Sequence, residues 1–186
     1  MDLATPVNLN AFEVADGHYV RSETFGTEAG TLFEHECSPG ASGAEVVFRF
    51  TPETTGQYLV WTGGAGATAG VDTVISLYSA CSPTADELAC QDDIDEAGGN
   101  LLSGLYVELT ADVPVYITVE SFGATDLGSR FELEVELTTV GGSGDACNSN
   151  GVTELCDWDA NLGCVWTSPA TPGPGTCDSA GLAPVI

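Results

Sequence analysis

Four carboxylates fall within five residues at Asp92, Asp93, Asp95 and Glu96. Crowded carboxylates repel one another, and a hard divalent cation relieves the repulsion by oxygen ligation. The chemistry this spacing suggests is calcium binding, with Asp92, Asp93 and Asp95 as the candidate ligands. A second stretch, Asp157, Asp159 and Asn161, begins like a calcium loop, but Gly163 comes one place late and Ser168 stands where a closing Glu belongs. Histidine and lysine are scarce or absent, and although the many carboxylates could supply a glycosidase-type pair, nothing sets two of them apart. The histidines are His18 and His35, both in a weakly patterned region and read as surface residues. Ser42 sits in Gly40-Ala41-Ser42-Gly43, which lacks the spacing of a nucleophile elbow. There is no lysine, and the bases are Arg21, Arg49 and Arg130. Seven cysteines occur without a Cys-x-x-Cys pair, which favours disulfides over zinc ligation. Trp61, Tyr78, Tyr106 and Tyr116 would make a sugar-stacking platform only if they shared an exposed face; in a β-protein such residues more often belong to the core.

The elements that must position these residues read as strands. Val71, Thr73, Ile75 and Leu77 alternate with Asp72, Val74, Ser76 and Tyr78, the period of a strand with one deeply buried face. Cys81 and Cys90 flank the turn composition Ser82-Pro83-Thr84-Ala85, and the acidic cluster follows Cys90 directly. A hairpin closed by a Cys81–Cys90 disulfide, with carboxylates at its exit, accounts for the whole stretch. Val46, Phe48 and Phe50 alternate with Glu45, Val47 and Arg49; Tyr58, Val60 and Thr62 oppose Leu59 and Trp61. Residues 105–109 make another strand. Val115, Ile117 and Val119 read as inward, with Tyr116, Thr118 and Glu120 outward. Phe131, Leu133, Val135 and Leu137 alternate strictly with Glu132, Glu134 and Glu136. Short strands at regular spacing, with no useful helical period, predict an all-β antiparallel β-sandwich, jelly-roll-like.

The order of these features resembles the bacterial pre-peptidase C-terminal domain, a secreted β-sandwich module. The matching residues are Asp72 opening a strand that ends in Leu77-Tyr78, the turn from Cys81 to Cys90, the Asp92-Asp93 pair, and the later strands at 105–109, 115–119 and 131–137. The likeness covers roughly residues 44–140 and departs from the family at Glu45-Val46 and at Ala111-Asp112-Val113-Pro114. It implies a non-catalytic accessory module serving export, anchoring or substrate contact, and some members of that family bind calcium. Beyond the Gly141-Gly142-Ser143-Gly144 run, Cys147, Cys156, Cys164 and Cys177 fall within 31 residues poor in aliphatics. That segment resembles a degenerate myxobacterial cysteine-rich repeat. The expected organisation is a sandwich over 1–140, a Gly/Ser linker over 141–146 and a small disulfide-rich tail over 147–186, with two bridges inside the tail and Cys37 left over.

Composition narrows the function classes. Hydrophobic residues make up 43% of the 186, enough for a core. Net charge is −25, which repels phosphate backbones and anionic lipid heads. Nucleic acid is therefore excluded as a partner, and no apolar run reaches the roughly 18 residues of a membrane span. Met1 to Pro6 carries neither the basic nor the apolar region of a signal peptide, so the sequence reads as a mature segment. Cysteine usage places the chain in an oxidising, extracellular or cell-surface setting. A protein or carbohydrate partner, or self-association through an unpaired edge strand, remains, with Ca²⁺ as the cofactor. The linker composition also predicts that a chain truncated after Val140 unfolds in one cooperative urea transition; loss of cooperativity would assign the tail to the sandwich core.

Overall fold

The computed structural model describes residues 5–15, 17–30, 32–94 and 99–141, and the short strands 146–148, 154–156, 163–165 and 174–178. Internal contacts divide the chain into two compact units, Met1–Glu136 and Leu137–Ile186. The first unit is a β-sandwich. Its strands are β1 (Val7–Asn8), β2 (Glu13–Ala15), β3 (His18–Thr24), β4 (Glu45–Phe50), β5 (Gly56–Thr62), β6 (Thr73–Tyr78), β7 (Glu87–Gln91), β8 (Gly104–Leu109), β9 (Val115–Ser121) and β10 (Arg130–Leu137). One sheet has the order β1-β4-β9-β6-β7 and the other β2-β3-β10-β5-β8. Every pair given a register in them is antiparallel except β1 with β4. Among the described residues no helix is long and apolar enough to cross a membrane.

The alternating residues build the core between the sheets. Phe131, Leu133 and Val135 of β10 are fully buried, and so are Phe48, Ile75, Leu77, Ile117 and Val119 of the facing sheet. Aromatic rings interlock across the gap: Phe48 meets Phe131 edge-on at 6.2 Å between centroids, and Tyr19 meets Phe50 at 4.9 Å. Three buried hydroxyls also join the sheets. Thr73 Oγ1 on β6 lies 2.7 Å from Thr62 Oγ1 on β5 and 2.9 Å from Ser103 Oγ. Each finds a partner inside the core, so their burial carries no unsatisfied-donor cost.

The expected outward face of β9 is not outward. Thr118 and Glu120 are fully buried, and all six residues of β6 are buried. The cause is the segment 32–43, which crosses the outer face of this sheet as a strap. Phe33 packs on Tyr78 with centroids 4.5 Å apart and joins a small apolar cluster with Val47, flanked by Leu32, Cys81, Ala85 and Tyr116. The Tyr78 hydroxyl donates to Glu34 O at 2.7 Å. At the end of the strap Gly43 lies so close to β9 that a Cβ there would fall 2.0 Å from Ser121 O. Only glycine permits that approach. Alternation over β9 reads correctly as two faces, but sequence periodicity does not reveal that a loop far back in the chain covers the second.

The disulfide is also placed differently from the expectation. Cys90 is bonded to Cys37 of the strap, with Cα atoms 5.7 Å apart, and Cys81 is a free thiol. Hairpin register explains the correction. Cys90 is the partner of Ser76 on β6, five residues back from Cys81. At about 3.4 Å per residue that offset is on the order of 15 Å along the hairpin, beyond the roughly 7 Å limit for a bridge. Flanking a turn is thus no guarantee of facing across it. Cys90 projects toward the outer face, where the strap brings Cys37 within reach.

The second unit is built of short strands. Strand β11 (Thr139–Gly141) pairs in parallel with β13 (Glu154–Cys156). A three-stranded sheet has the order β12 (Ala146–Asn148), β15 (Pro174–Asp178), β14 (Gly163–Val165). Cys164 and Cys177 hold partner positions across β14 and β15.

Non-reducing peptide mapping is expected to recover Cys37 joined to Cys90 and Cys81 as an alkylatable thiol. Bridging residues 53 apart stabilises the fold by about 4 kcal/mol in the chain-entropy view, so Cys37→Ser should lower urea stability by that order and Cys81→Ser by far less.

Candidate functional site

Strap and sheet enclose a cluster of polar side chains. His35 is 4% exposed, and Ser76 and Glu120 are fully buried. The His35 ring is held from both sides: Nδ1 lies 2.7 Å from Ser76 Oγ, and Nε2 lies 2.6 Å from Glu120 Oε2. The second Glu120 oxygen, Oε1, accepts from Gly43 N at 3.0 Å. Ser76 Oγ also donates to Cys90 Sγ, a sulfur of the disulfide, at 3.0 Å. Glu45 of β4 stands opposite Glu120 in the ladder, and its Oε2 accepts from Phe33 N at 3.3 Å. Burial pushes the Glu45 carboxyl up to about 7. The Phe33 amide opposes that shift; the Glu120 charge adds to it, and His35 opposes it.

Serine, histidine and carboxylate in hydrogen-bond sequence is the arrangement of a nucleophilic triad. Access decides what this one can do. The Ser76 hydroxyl faces the strap, His35 and the disulfide, and the residue is fully buried. A shallow cleft of about 450 Å³ runs along the strap, lined by Phe33, Glu34, His35, Glu36, Ser38, Pro39 and Ala41; Ser76 and Glu120 are not in its wall. The geometry therefore suits a packing and pinning role. The reading of both histidines as surface residues fails for His35. His18 is partly exposed and pairs with Glu134 Oε2 at 3.1 Å. Ser42, the other candidate nucleophile, donates its backbone N–H to Phe122 O at 3.1 Å, at the end of the strap. No local pattern marks His35, Ser76, Glu45 and Glu120 as neighbours, since they come from four separate segments. The one available signal is Glu120 at the end of the apolar run Val115–Val119.

The acidic cluster sits at a different corner. Asp92 and Asp93 leave β7, and Asp72 immediately precedes β6. Because β6 and β7 are antiparallel, with Ile75 opposite Gln91, the start of one strand meets the exit of the other. One carboxylate oxygen from each of Asp72, Asp92 and Asp93 lies within 4.8 Å of the other two. Asp92 Oδ1 is buried and makes no hydrogen bond. Three clustered carboxylates supply hard oxygen atoms of the kind that divalent cations take. Asp72 is the member of this carboxylate group that sequence reading missed, although it opens the same strand pair. Asp95 and Glu96 lie outside the described residues, as does the stretch 157–162.

The aromatic residues do not form one platform. Tyr78 and Tyr116 belong to the strap-covered face of the first sheet. Trp61 and Tyr106 lie on the outer face of the second, where Tyr106 is opposite Leu59 and is 39% exposed. Burial, and next the Glu136 charge, push the Tyr106 phenol upward. The Trp61 ring lies against Gly63, where a Cβ would fall 2.1 Å from the ring.

No family model matches the chain, the pre-peptidase C-terminal and myxobacterial repeat families included, and no curated protein matches it. Two similar solved structures are a pre-peptidase C-terminal domain of a collagenase from Bacillus anthracis and a periplasmic inhibitor of g-type lysozyme from Aeromonas hydrophila. The first is 10% identical, with a TM-score of 0.40 over 63% of this chain and 87% of the other. The second is 13% identical, with a TM-score of 0.41 over 72% of this chain and 96% of the other.

Replacing Glu120 with Ala strips partners from His35 and from Gly43 N inside the fold. Buried groups left unpaired cost about 1–3 kcal/mol each, so Glu120→Ala should lower urea stability by about 3 kcal/mol. Glu134→Ala, which breaks the more exposed pair with His18, should cost under about 1 kcal/mol. Equal losses would contradict a pinning role for the buried cluster.

Proposed function

We propose that this chain is a non-catalytic binding or accessory module of a secreted or cell-surface protein. One observation carries the reading: the triad-like set of Ser76, His35 and Glu120 is sealed under the strap, with every side chain at most 4% exposed. A nucleophile that no substrate can reach serves the fold. The Cys37–Cys90 bridge supports an oxidising compartment. The charge of −25 favours cationic or polar uncharged partners over nucleic acid and anionic membranes. Contact with a protein or a polysaccharide falls to the outer face of the second sheet, where Trp61 and Tyr106 stand with Glu108 and the half-buried Glu132, Glu134 and Glu136. Retention on immobilised peptidoglycan, polysaccharide or collagen-like peptide, abolished by Tyr106→Ala with the fold intact, is the expected result. Substrate turnover abolished by Ser76→Ala in a still-folded protein would refute the non-catalytic reading.

Calcium belongs to the same proposal, as a stabiliser held by Asp72, Asp92 and Asp93. A ligand specific to the folded state stabilises it by RT ln(1 + [L]/Kd), and extracellular calcium sites commonly have Kd values of about 0.1–1 mM. Millimolar CaCl₂ should raise Tm by about 3–6 °C more than NaCl of equal ionic strength. Asp92→Asn combined with Asp93→Asn should erase the difference. Equal shifts in the two salts would leave only general screening of a highly acidic chain.

A further inference from the structure

In the cluster of His35, Glu45 and Glu120 each side chain is held through one atom by a group outside the cluster. Ser76 Oγ engages His35 Nδ1 at 2.7 Å, Gly43 N holds Glu120 Oε1 at 3.0 Å, and Phe33 N holds Glu45 Oε2 at 3.3 Å. The remaining atoms are His35 Nε2, Glu120 Oε2 and Glu45 Oε1. The first two lie 2.6 Å apart. The third is buried and makes no hydrogen bond. One ligand atom of each residue lies within 4.8 Å of the other two. Outer hydrogen bonds that fix the ring and rotate each carboxylate, leaving one donor atom per residue for a shared point, are the support that metal ligands require.

We propose that His35, Glu45 and Glu120 bind a single first-row divalent cation of the zinc type, fastening the strap to β4 and β9. One imidazole nitrogen and two carboxylate oxygens suit such an ion better than calcium, which prefers six or more oxygens. Bonds of about 2.0–2.2 Å set ligand atoms about 3.4 Å apart around a tetrahedral ion. The ion therefore displaces the proton between His35 and Glu120, and the two atoms part by somewhat under about 1 Å. Glu45 Oε1, idle in the metal-free protein, becomes the third ligand. A water molecule carried in with the ion fills the fourth position. The site is distinct from the corner of Asp72, Asp92 and Asp93, and its ion is structural.

The test uses the full chain, stripped with EDTA and dialysed, then titrated with ZnCl₂ by calorimetry and assayed for bound metal after gel filtration. One equivalent of zinc should be retained, Tm should rise, and Co²⁺ in its place should show visible d–d absorption. Glu45→Gln keeps an acceptor for Phe33 N but weakens the ligand, and should lower zinc affinity at least tenfold with unchanged near-ultraviolet circular dichroism. Glu120→Gln should do the same. Cys81→Ser, and Asp92→Asn with Asp93→Asn, should bind as the parent does. The proposal is overturned if no equivalent is retained, or if a folded Glu45→Gln or Glu120→Gln protein binds zinc as tightly as the parent. A loss of binding in Cys81→Ser or in the double Asp variant would overturn it equally, by moving the site elsewhere.

Discussion

The burial of Glu120 constrains the rest of this fold. It lies on β9, the middle strand of a five-stranded sheet, with its side chain on the face away from the sandwich core. A carboxyl group without water must find partners or cost several kcal/mol. The strap provides them: Gly43 N for one oxygen and the His35 ring for the other. Once His35 is committed, its second nitrogen needs Ser76, and the strap must follow one path across β4, β9 and β6. A loop with no regular secondary structure thereby acquires a defined course.

The disulfide complements that polar fit. Hydrogen bonds specify where the strap lies, while the Cys37–Cys90 bond prevents it from lifting away as a unit. The two features meet at Ser76, whose hydroxyl touches both the His35 ring and Cys90 Sγ. The apolar contact of Phe33 with Tyr78 closes the layer further along the same face. The strap thus adds a third layer over the first sheet, and the second sheet keeps the more exposed outer face. This asymmetry separates the aromatic residues by role: Tyr78 and Tyr116 pack under the strap, whereas Tyr106 remains accessible.

The acidic residues also divide by environment. Glu132, Glu134 and Glu136 line an outer face and reach solvent, Ser22 or His18. Asp72, Asp92 and Asp93 converge where β6 begins and β7 ends, because antiparallel pairing brings those two chain positions together. Glu120 is enclosed, and Glu45 beside it is half-buried. Charge at the level of composition treats all of these alike; their local dielectric and partners do not.

The inward and outward faces of the strands from residue 45 onward were largely legible from the chain alone, whereas residues 1–43 showed little pattern. Period-two alternation in β4, β5, β9 and β10 is a local property, set by the requirement that successive side chains point to opposite faces. The acidic cluster at Asp92 and Asp93 was legible for the same reason, being contiguous. Its third member, Asp72, was not, because it depends on hairpin register. The partner of Cys90, the concealment of His35 and the covered face of β9 were decided by tertiary structure. Each rests on contacts between residues some forty or more positions apart. Local alternation records which face a side chain takes. It holds no record of what arrives to cover that face, and here the arriving segment is an irregular loop whose residues show no period at all.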